Sequence, residues 1–463
     1  MKMNISKSTG ARVTRYGFLK GLASLGTLQV AGCACPSILG RRSPNGVLSH
    51  ACVGVGGMGL ADLKGLMSHP RIRIAALCDV DADRLAEAAK LCPEARLYRN
   101  AHEMFAAEGD RIDSVNVSTP DHTHAGYILD ALGRGLNVYA QKPLCRTVAD
   151  SRSIEALAAK KGVVTQMGTQ VAAHECDRQT VALLRSGVIG EIRHVWIFSN
   201  RGGQSRADHT WPLKPSPIPP SLDWKTWLGP APWRDYVKGV YHPFSWRRWR
   251  DFGTSWLGDL GLHLLSPVWI GMEIGTSSPL DVKADYTTEA PELMRQFWPR
   301  NSHVTWTMPG IAATGGKPYD IEWCDGSIVA RDAVLNGDKD AFSSKSMNIE
   351  GAGVRASMDP KYFPPEFFKE LFAKTPIGQQ PFQGRVVEGT EGWVLSVHYD
   401  VAPAAVLKSG KVIAAPQVGP APSHWHEYVN CCLDGGAPTS SFSWAGRLSE
   451  MVIRGNEAMV IPG

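Results

Sequence analysis

The chain is 463 residues long, 43% hydrophobic and 20% charged, with a formal net charge of +5. That length exceeds what one hydrophobic core usually serves, so two domains are expected. Seven lysines and arginines and no acidic residue fall within residues 1–45; without them the formal charge of residues 46–463 is −2, which excludes nucleic-acid binding driven by bulk charge.

Residues 1–45 read as an export signal and linker, a basic stretch followed by "FLKGLASLGTLQVAGCA". Within it "TRYGFLK" resembles a twin-arginine signal with Tyr16 in place of the second arginine. "VAGC" resembles a lipoprotein cleavage box that makes Cys33 the candidate for a lipid anchor. The expected location is the periplasm or the membrane surface, and the cytoplasm if the signal does not function. Beyond this segment no apolar run reaches the roughly eighteen residues a membrane-spanning helix needs. The ten cysteines include no CxxC pair, so neither a zinc site nor a disulfide framework is legible from their spacing.

Residues 46–168 form the expected dinucleotide-binding domain. "ACVGVGGMG" places Gly54, Gly56 and Gly59 in G-x-G-x-x-G spacing between an apolar run and a helical one, with Gly57 and Met58 inside the turn. Gly54 allows the tight turn, Gly56 lets the backbone approach a pyrophosphate, and Gly59 lets helix pack on strand. "IRIAALCD" is a second strand, and its Asp79 lies 20 residues after Gly59, the offset of an acid that binds ribose hydroxyls and disfavours a 2′-phosphate. NAD is therefore the expected cofactor. "IDSVNVSTP", "LNVYAQKPL" and "VVTQMGTQ" continue as strands separated by helical stretches, which specifies a doubly wound parallel sheet. In such a sheet the ligand lies beyond the carboxyl ends of the strands. Ser118, Thr119, Pro120, His122 and His124 of "STPDHTHA", with Gln141 and Lys142 of "AQKPL", are thus further candidates for contacting the cofactor. A metal reading of Asp121, His122 and His124 is disfavoured by their i, i+2 spacing at a strand–helix junction, and no metal is expected.

Residues 169–463 form the expected substrate domain, an α+β unit that also carries oligomer contacts. Prolines and tryptophans crowd residues 202–235, the pattern of an ordered irregular loop whose indoles mostly fill a core and in part can stack on a pyranose. In "SWLGDLGLHLL", Asp259 and His263 stand four apart and share a helical face. Tyr241, His242 and Arg247 are candidates for substrate contact. "PLDVKADYTTE", "SHVTWTMPG" and "YDIEWCDGSIVA" alternate as half-buried strands do, implying a mostly antiparallel sheet. "SHWHEYVNCCLDGG" and "SWAGRLSEMVIRGNEAMV" read as two closing helices.

The ordered set G-x-G-x-x-G, "CDVD", "STPDHTHA", "AQKPL" and "GDLGLH" resembles the Gfo/Idh/MocA family of NAD(P)-dependent oxidoreductases, most of which act on sugars and polyols. The resemblance covers nearly the whole chain after residue 46. It implies a Rossmann domain followed by an α+β domain, a homo-oligomer, and catalysis by Lys142, His263 and Asp259, with Asp259 orienting either His263 or Lys142 and His263 also contacting substrate. The family's Glu-Lys-Pro is here Gln141-Lys142-Pro143, an amide in place of an acid beside the lysine. Three functions follow as expectations: NAD-dependent oxidation of a ring carbinol in a sugar or glycoside; redox-neutral glycoside cleavage through transient oxidation; or non-catalytic sugar binding with retained cofactor.

Overall fold

A computed structural model describes residues 46–199, 201, 212–287, 295–299, 301–326, 362, 364–398 and 401–459. Residues 1–45, expected to be an export signal and holding Cys33, the portion of the proline-rich loop holding Trp211, and the last four residues of "YDIEWCDGSIVA" lie outside these. Among the described residues no helix is long and apolar enough to cross a membrane.

Six short strands build the first sheet: β1 (Leu48–Val53), β2 (Ile72–Cys78), β3 (Arg96–Tyr98), β4 (Ser114–Val117), β5 (Asn137–Ala140) and β6 (Thr165–Met167). All pairs are parallel, in the order β3-β2-β1-β4-β5-β6. Helices cover both faces, so every residue of β1 is buried, its polar ones included. His50 meets that constraint by bonding Ser114 Oγ at 2.7 Å and Asn116 Oδ1 at 3.1 Å on the neighbouring strand. Strand order reverses between β1 and β4, and that switch point opens the crevice in which such sheets bind ligands.

The second sheet has eight strands: β7 (Ile192–Ser199), β8 (Asp281–Tyr286), β9 (Ser302–Met308), β10 (Tyr319–Asp325), β11 (Gly384–Gly389), β12 (Gly392–Val397), β13 (Ala404–Leu407) and β14 (Val412–Ala414). Its order is β14-β13-β12-β11-β7-β10-β9-β8, antiparallel except for the β7–β10 pair. Alternation along β9 and β10 turns Val304, Trp306, Ile321 and Trp323 into the main core. The opposite face sets Trp196, Phe198 and Cys324 against Phe368 and Phe372 of the helix Phe368–Ala373.

The two closing helices return to the first domain, although their position in the chain assigns them to the second. His424–Asp434 packs on the helix Met58–Met67, and Phe442–Ala458 packs on Val148–Lys161 as well as on β8 and β9. The cause is apolar demand. Tyr428, Val429 and Cys432 bury against Leu48 and Tyr139, surface that the six-stranded sheet would otherwise leave open.

Candidate active site

Beyond the carboxyl ends of β1, β2, β4 and β5 lies a cleft of about 690 Å³, within the range of small-molecule sites. Gly54, Gly56, Gly57 and Met58 form one wall. Gly54 has φ +80°, and a Cβ there would come within 2.7 Å of the Ser118 carbonyl oxygen, so only glycine fits. A Cβ on Gly59 would sit 2.1 Å from the Gly54 carbonyl oxygen. Gly59 therefore lies beneath the turn as a packing residue and does not line the cleft. No side chain caps the helix that begins at Met58; the Gly59 N–H turns back to the Gly56 carbonyl at 3.0 Å, and the helix start at Gly57 and Met58 borders the cleft, where its dipole favours an anion.

Asp79 accepts the Val55 and Asp81 N–H groups, each at 2.9 Å, and so ties the glycine turn to the end of β2. Burial pushes its carboxyl above the usual range, while those two amides and nearby Arg84 oppose the rise. Remaining lone pairs face the cleft for ribose hydroxyls. His242, expected near substrate, instead sits at this nucleotide end with Nε2 3.0 Å from Asp81 Oδ2. Arg84, which no motif singles out, lies over Gly56 and borders the same cleft. The glycine cradle, the uncapped helix and the free acceptor positions of Asp79 suit a dinucleotide, with Ser118, Thr119, Pro120 and Gln141 lining the same space.

At the other end of the cleft Lys142 Nζ donates to Asp259 Oδ1 at 2.6 Å. Arg247 Nε reaches the same oxygen at 3.1 Å, and an Arg201 nitrogen stands 3.7 Å from Oδ2. Burial alone would raise the Asp259 pKa, but Lys142, Arg247 and Arg201 hold it far below the carboxylate range. Asp259 thus partners the lysine rather than His263, the helical neighbour that spacing suggested. The local backbone is the cause: residues Leu257–Gly261 form a π-helical turn before the α-helix Leu262–Gly271, which offsets the two side chains. Ser255 enters that turn at φ +62°, held by its Oγ bond to Asn456 Oδ1 at 2.8 Å, while Asn456 donates to the Thr254 carbonyl at 2.7 Å.

His263 lines the cleft at 7% exposure. Burial, then the Lys142 charge, depresses its pKa well below the ordinary histidine value, and its Nδ1 has no hydrogen-bond partner among the described residues. A neutral imidazole that lines the cleft beside an ammonium can accept a proton from a hydroxyl. Arg385 of β11 fixes the backbone behind it, donating to the carbonyls of His263 (3.3 Å) and Leu264 (2.9 Å) and pairing with buried Asp177.

His124 lines the cleft and braces it, its ring nitrogens each 2.7 Å from the carbonyls of Thr119 and Pro143. His122 and Tyr241 do not line it. His122 is buried with Nε2 2.9 Å from the Trp227 carbonyl oxygen, and Tyr241 packs between Trp224, Trp249 and Phe252. Both belong to the tryptophan-rich core under the loop, which draws aromatic rings out of the site to bury their area. Asp121 bonds Thr254 Oγ1 at 2.6 Å.

The Gln141 amide has an unanticipated partner. Its Nε2 donates to both oxygens of Asp62, at 3.1 and 2.9 Å. Asp62 is fully buried on the helix Met58–Met67 and also accepts from Ser118 Oγ (2.7 Å), Tyr139 (3.2 Å) and Trp425 (3.0 Å). A carboxylate therefore does abut the strand end before Lys142, supplied by a helix rather than by residue 141. The one signal in the sequence was a charged residue on the otherwise apolar inward face of that helix.

A family model described as an oxidoreductase family with an NAD-binding Rossmann fold matches residues 48–169, and its companion, a C-terminal alpha/beta domain, matches residues 179–306. D-apiose dehydrogenase of Paraburkholderia graminis is 32% identical over 25% of this chain and 31% of its own length. A glycosyl hydrolase family 109 protein of Shewanella pealeana is 25% identical over 35% of this chain and 37% of its own. The chain spans less than half the length of these curated relatives. Among solved structures, an inositol dehydrogenase homologue of Azotobacter vinelandii, complexed with NADH and myo-inositol, aligns over 89% of this chain and 95% of that one, with TM-score 0.55 and 16% identity, a likeness of fold.

Proposed function

This chain belongs to the Gfo/Idh/MocA oxidoreductase family, carrying its NAD-binding Rossmann domain and its C-terminal domain, and from that premise we propose that it oxidises a ring carbinol of a sugar or glycoside with NAD. The observation that carries the reading is the placement of Lys142, Asp259, Arg247 and His263 in one cleft with the glycine turn. Bound NAD would supply the hydride acceptor. Gly54, Gly56, Gly57, Met58, Asp79, Ser118 and Thr119 would hold it. At the substrate end His263, kept neutral by burial and by the Lys142 charge, accepts the hydroxyl proton. Lys142, held by Asp259, stabilises the oxyanion that develops as the proton leaves. Arg247 shares the Asp259 charge and borders the space for the sugar.

Redox-neutral glycoside cleavage uses the same groups and is favoured by the likeness to the family 109 protein. Non-catalytic binding had its ground in the amide at residue 141, and Asp62 against that amide weakens the ground. Incubation with a panel of glycosides and NAD, followed by mass spectrometry, tests the proposal. Loss of two hydrogens with matching NADH supports oxidation, and aglycone release without net NADH supports cleavage. Lys142→Met should lower the rate by about 10²–10⁴-fold with a smaller effect on NAD affinity; a variant with unchanged turnover refutes the lysine's role. We also propose export with lipidation at Cys33, tested by mass analysis of the mature N-terminus, and self-association, tested by sedimentation.

A further inference from the structure

The face of the second sheet turned away from the main core carries a set of side chains that the proposed chemistry does not use. Cys324 of β10 is directly opposite His303 of β9, and Glu322 stands two residues before Cys324 on the same face. His194 of β7 projects from that face as well, beside Asp320 in the parallel register. His303 Nε2 lies 2.7 Å from Glu322 Oε2, and His194 Nε2 lies 2.7 Å from Oε1.

We propose that His303, Glu322 and Cys324 form a site for a divalent transition-metal ion of the zinc type, with His194 held on the far oxygen of Glu322 and outside the donor set. The donor atoms of the first three all lie within 4.8 Å of one another. Four ligands at bond lengths of about 2.0–2.3 Å occupy a tetrahedron with edges of about 3.3–3.8 Å. The separations among the three donors, one of them 2.7 Å and none above 4.8 Å, bracket that edge, so side-chain adjustments of about an ångström let the three seat an ion and leave a fourth position for water. Imidazole, carboxylate and thiolate together suit zinc, whereas magnesium and calcium disfavour sulfur.

The set is held by rigid elements. The strand register fixes three of the ligands, and the His194 ring stacks on Trp196 at 3.8 Å and 16°, with Trp196 set edge-on against Phe368. Cys324 is 1% exposed while the His303 side chain is 32% exposed, so the thiol forms the floor and His303 the entry. None of the four lines the cleft, and strand alternation points them away from Trp306 and Trp323 of the main core. The ion would therefore clamp β10 and β9 together rather than take part in hydride transfer, and the site stands whatever the substrate proves to be.

The test is titration of the chelator-treated full chain with Co²⁺ alone. The expected result is one equivalent bound with a thiolate-to-cobalt charge-transfer band, displaced by Zn²⁺. Cys324→Ser should abolish the band, and His303→Ala should weaken binding by more than about tenfold. Absence of the band, or a band and affinity unchanged in both variants, overturns the proposal. X-ray absorption of the zinc-loaded wild-type chain tests the site without any variant: one sulfur with nitrogen and oxygen ligands supports it, and a shell without sulfur refutes it.

Discussion

Gln141→Glu would restore the family's Glu-Lys-Pro and, by the geometry here, should harm the protein. The new carboxylate would replace an amide nitrogen that stands 2.9 and 3.1 Å from the two oxygens of Asp62, which has no exposed surface. One hydrogen bond to a charged group is lost, worth about 1.5–3 kcal/mol. Two ionised carboxylates about 3 Å apart repel by about 5 kcal/mol at an effective dielectric of 20. One of them escapes by binding a proton, and holding a glutamic acid protonated at pH 7 costs about 3.7 kcal/mol. The proton is the cheaper route, so with the lost hydrogen bond the expected loss is about 5–7 kcal/mol at pH 7. Its sign with pH is fixed: the folded pair has a pKa above that of the unfolded glutamate, so the variant's deficit is full above the folded pKa and shrinks as pH falls below it toward the unfolded value of about 4.3. Adding Asp62→Asn returns the pair to one carboxylate and one amide, with the roles exchanged, and should recover most of the stability. Urea unfolding of the wild type, the single variant and the double variant at pH 7 and pH 5 measures all of this. A single variant as stable as wild type at pH 7, or a double variant no better than the single, refutes the reasoning.

Asp259→Asn removes the anion shared by Lys142, Arg247 and Arg201, and turnover should fall on the order of 10²-fold; wild-type kcat would show that the lysine needs no such partner. Arg385→Met leaves Asp177 charged and buried without its partner, and calorimetry or denaturant unfolding should show a loss of about 3–5 kcal/mol, together with a displaced His263. Burial lowers the pKa of His50 to about 4 and of His122 and His424 to about 3. Their folded values lie below the unfolded 6.5, so the unfolded chain binds more protons and each histidine costs about 1.4 kcal/mol per pH unit as pH falls below 6.5. Unfolding free energies equal at pH 7 and pH 5.5 would contradict this. Asp79→Asn removes the negative charge at the ribose while Arg84 remains, and the preference for NAD over NADP should narrow by about tenfold, or 1.4 kcal/mol, in binding titrations.

Properties set within one element were legible along the chain. Strand and helix periodicities marked out the parallel sheet and the antiparallel one, and glycine spacing marked the turn at Gly54–Gly59, because φ/ψ limits and side-chain period act over a few residues. The direction of Lys142 followed from its place at a strand's carboxyl end, a rule of sheet topology. What no spacing could reveal were partners between elements far apart in the chain. Asp62 meets Gln141 across 79 residues, Lys142 meets Asp259 across 117, and Arg385 meets Asp177 across 208. Whether Asp259 serves its helical neighbour His263 or the distant Lys142 depended on a π-turn, and whether Tyr241 and His122 face ligand or core depended on how tightly the tryptophans pack. Close packing decides these matters because a buried charge or ring takes the partner that the whole fold brings within about 3–4 Å, and that distance has no counterpart in sequence separation.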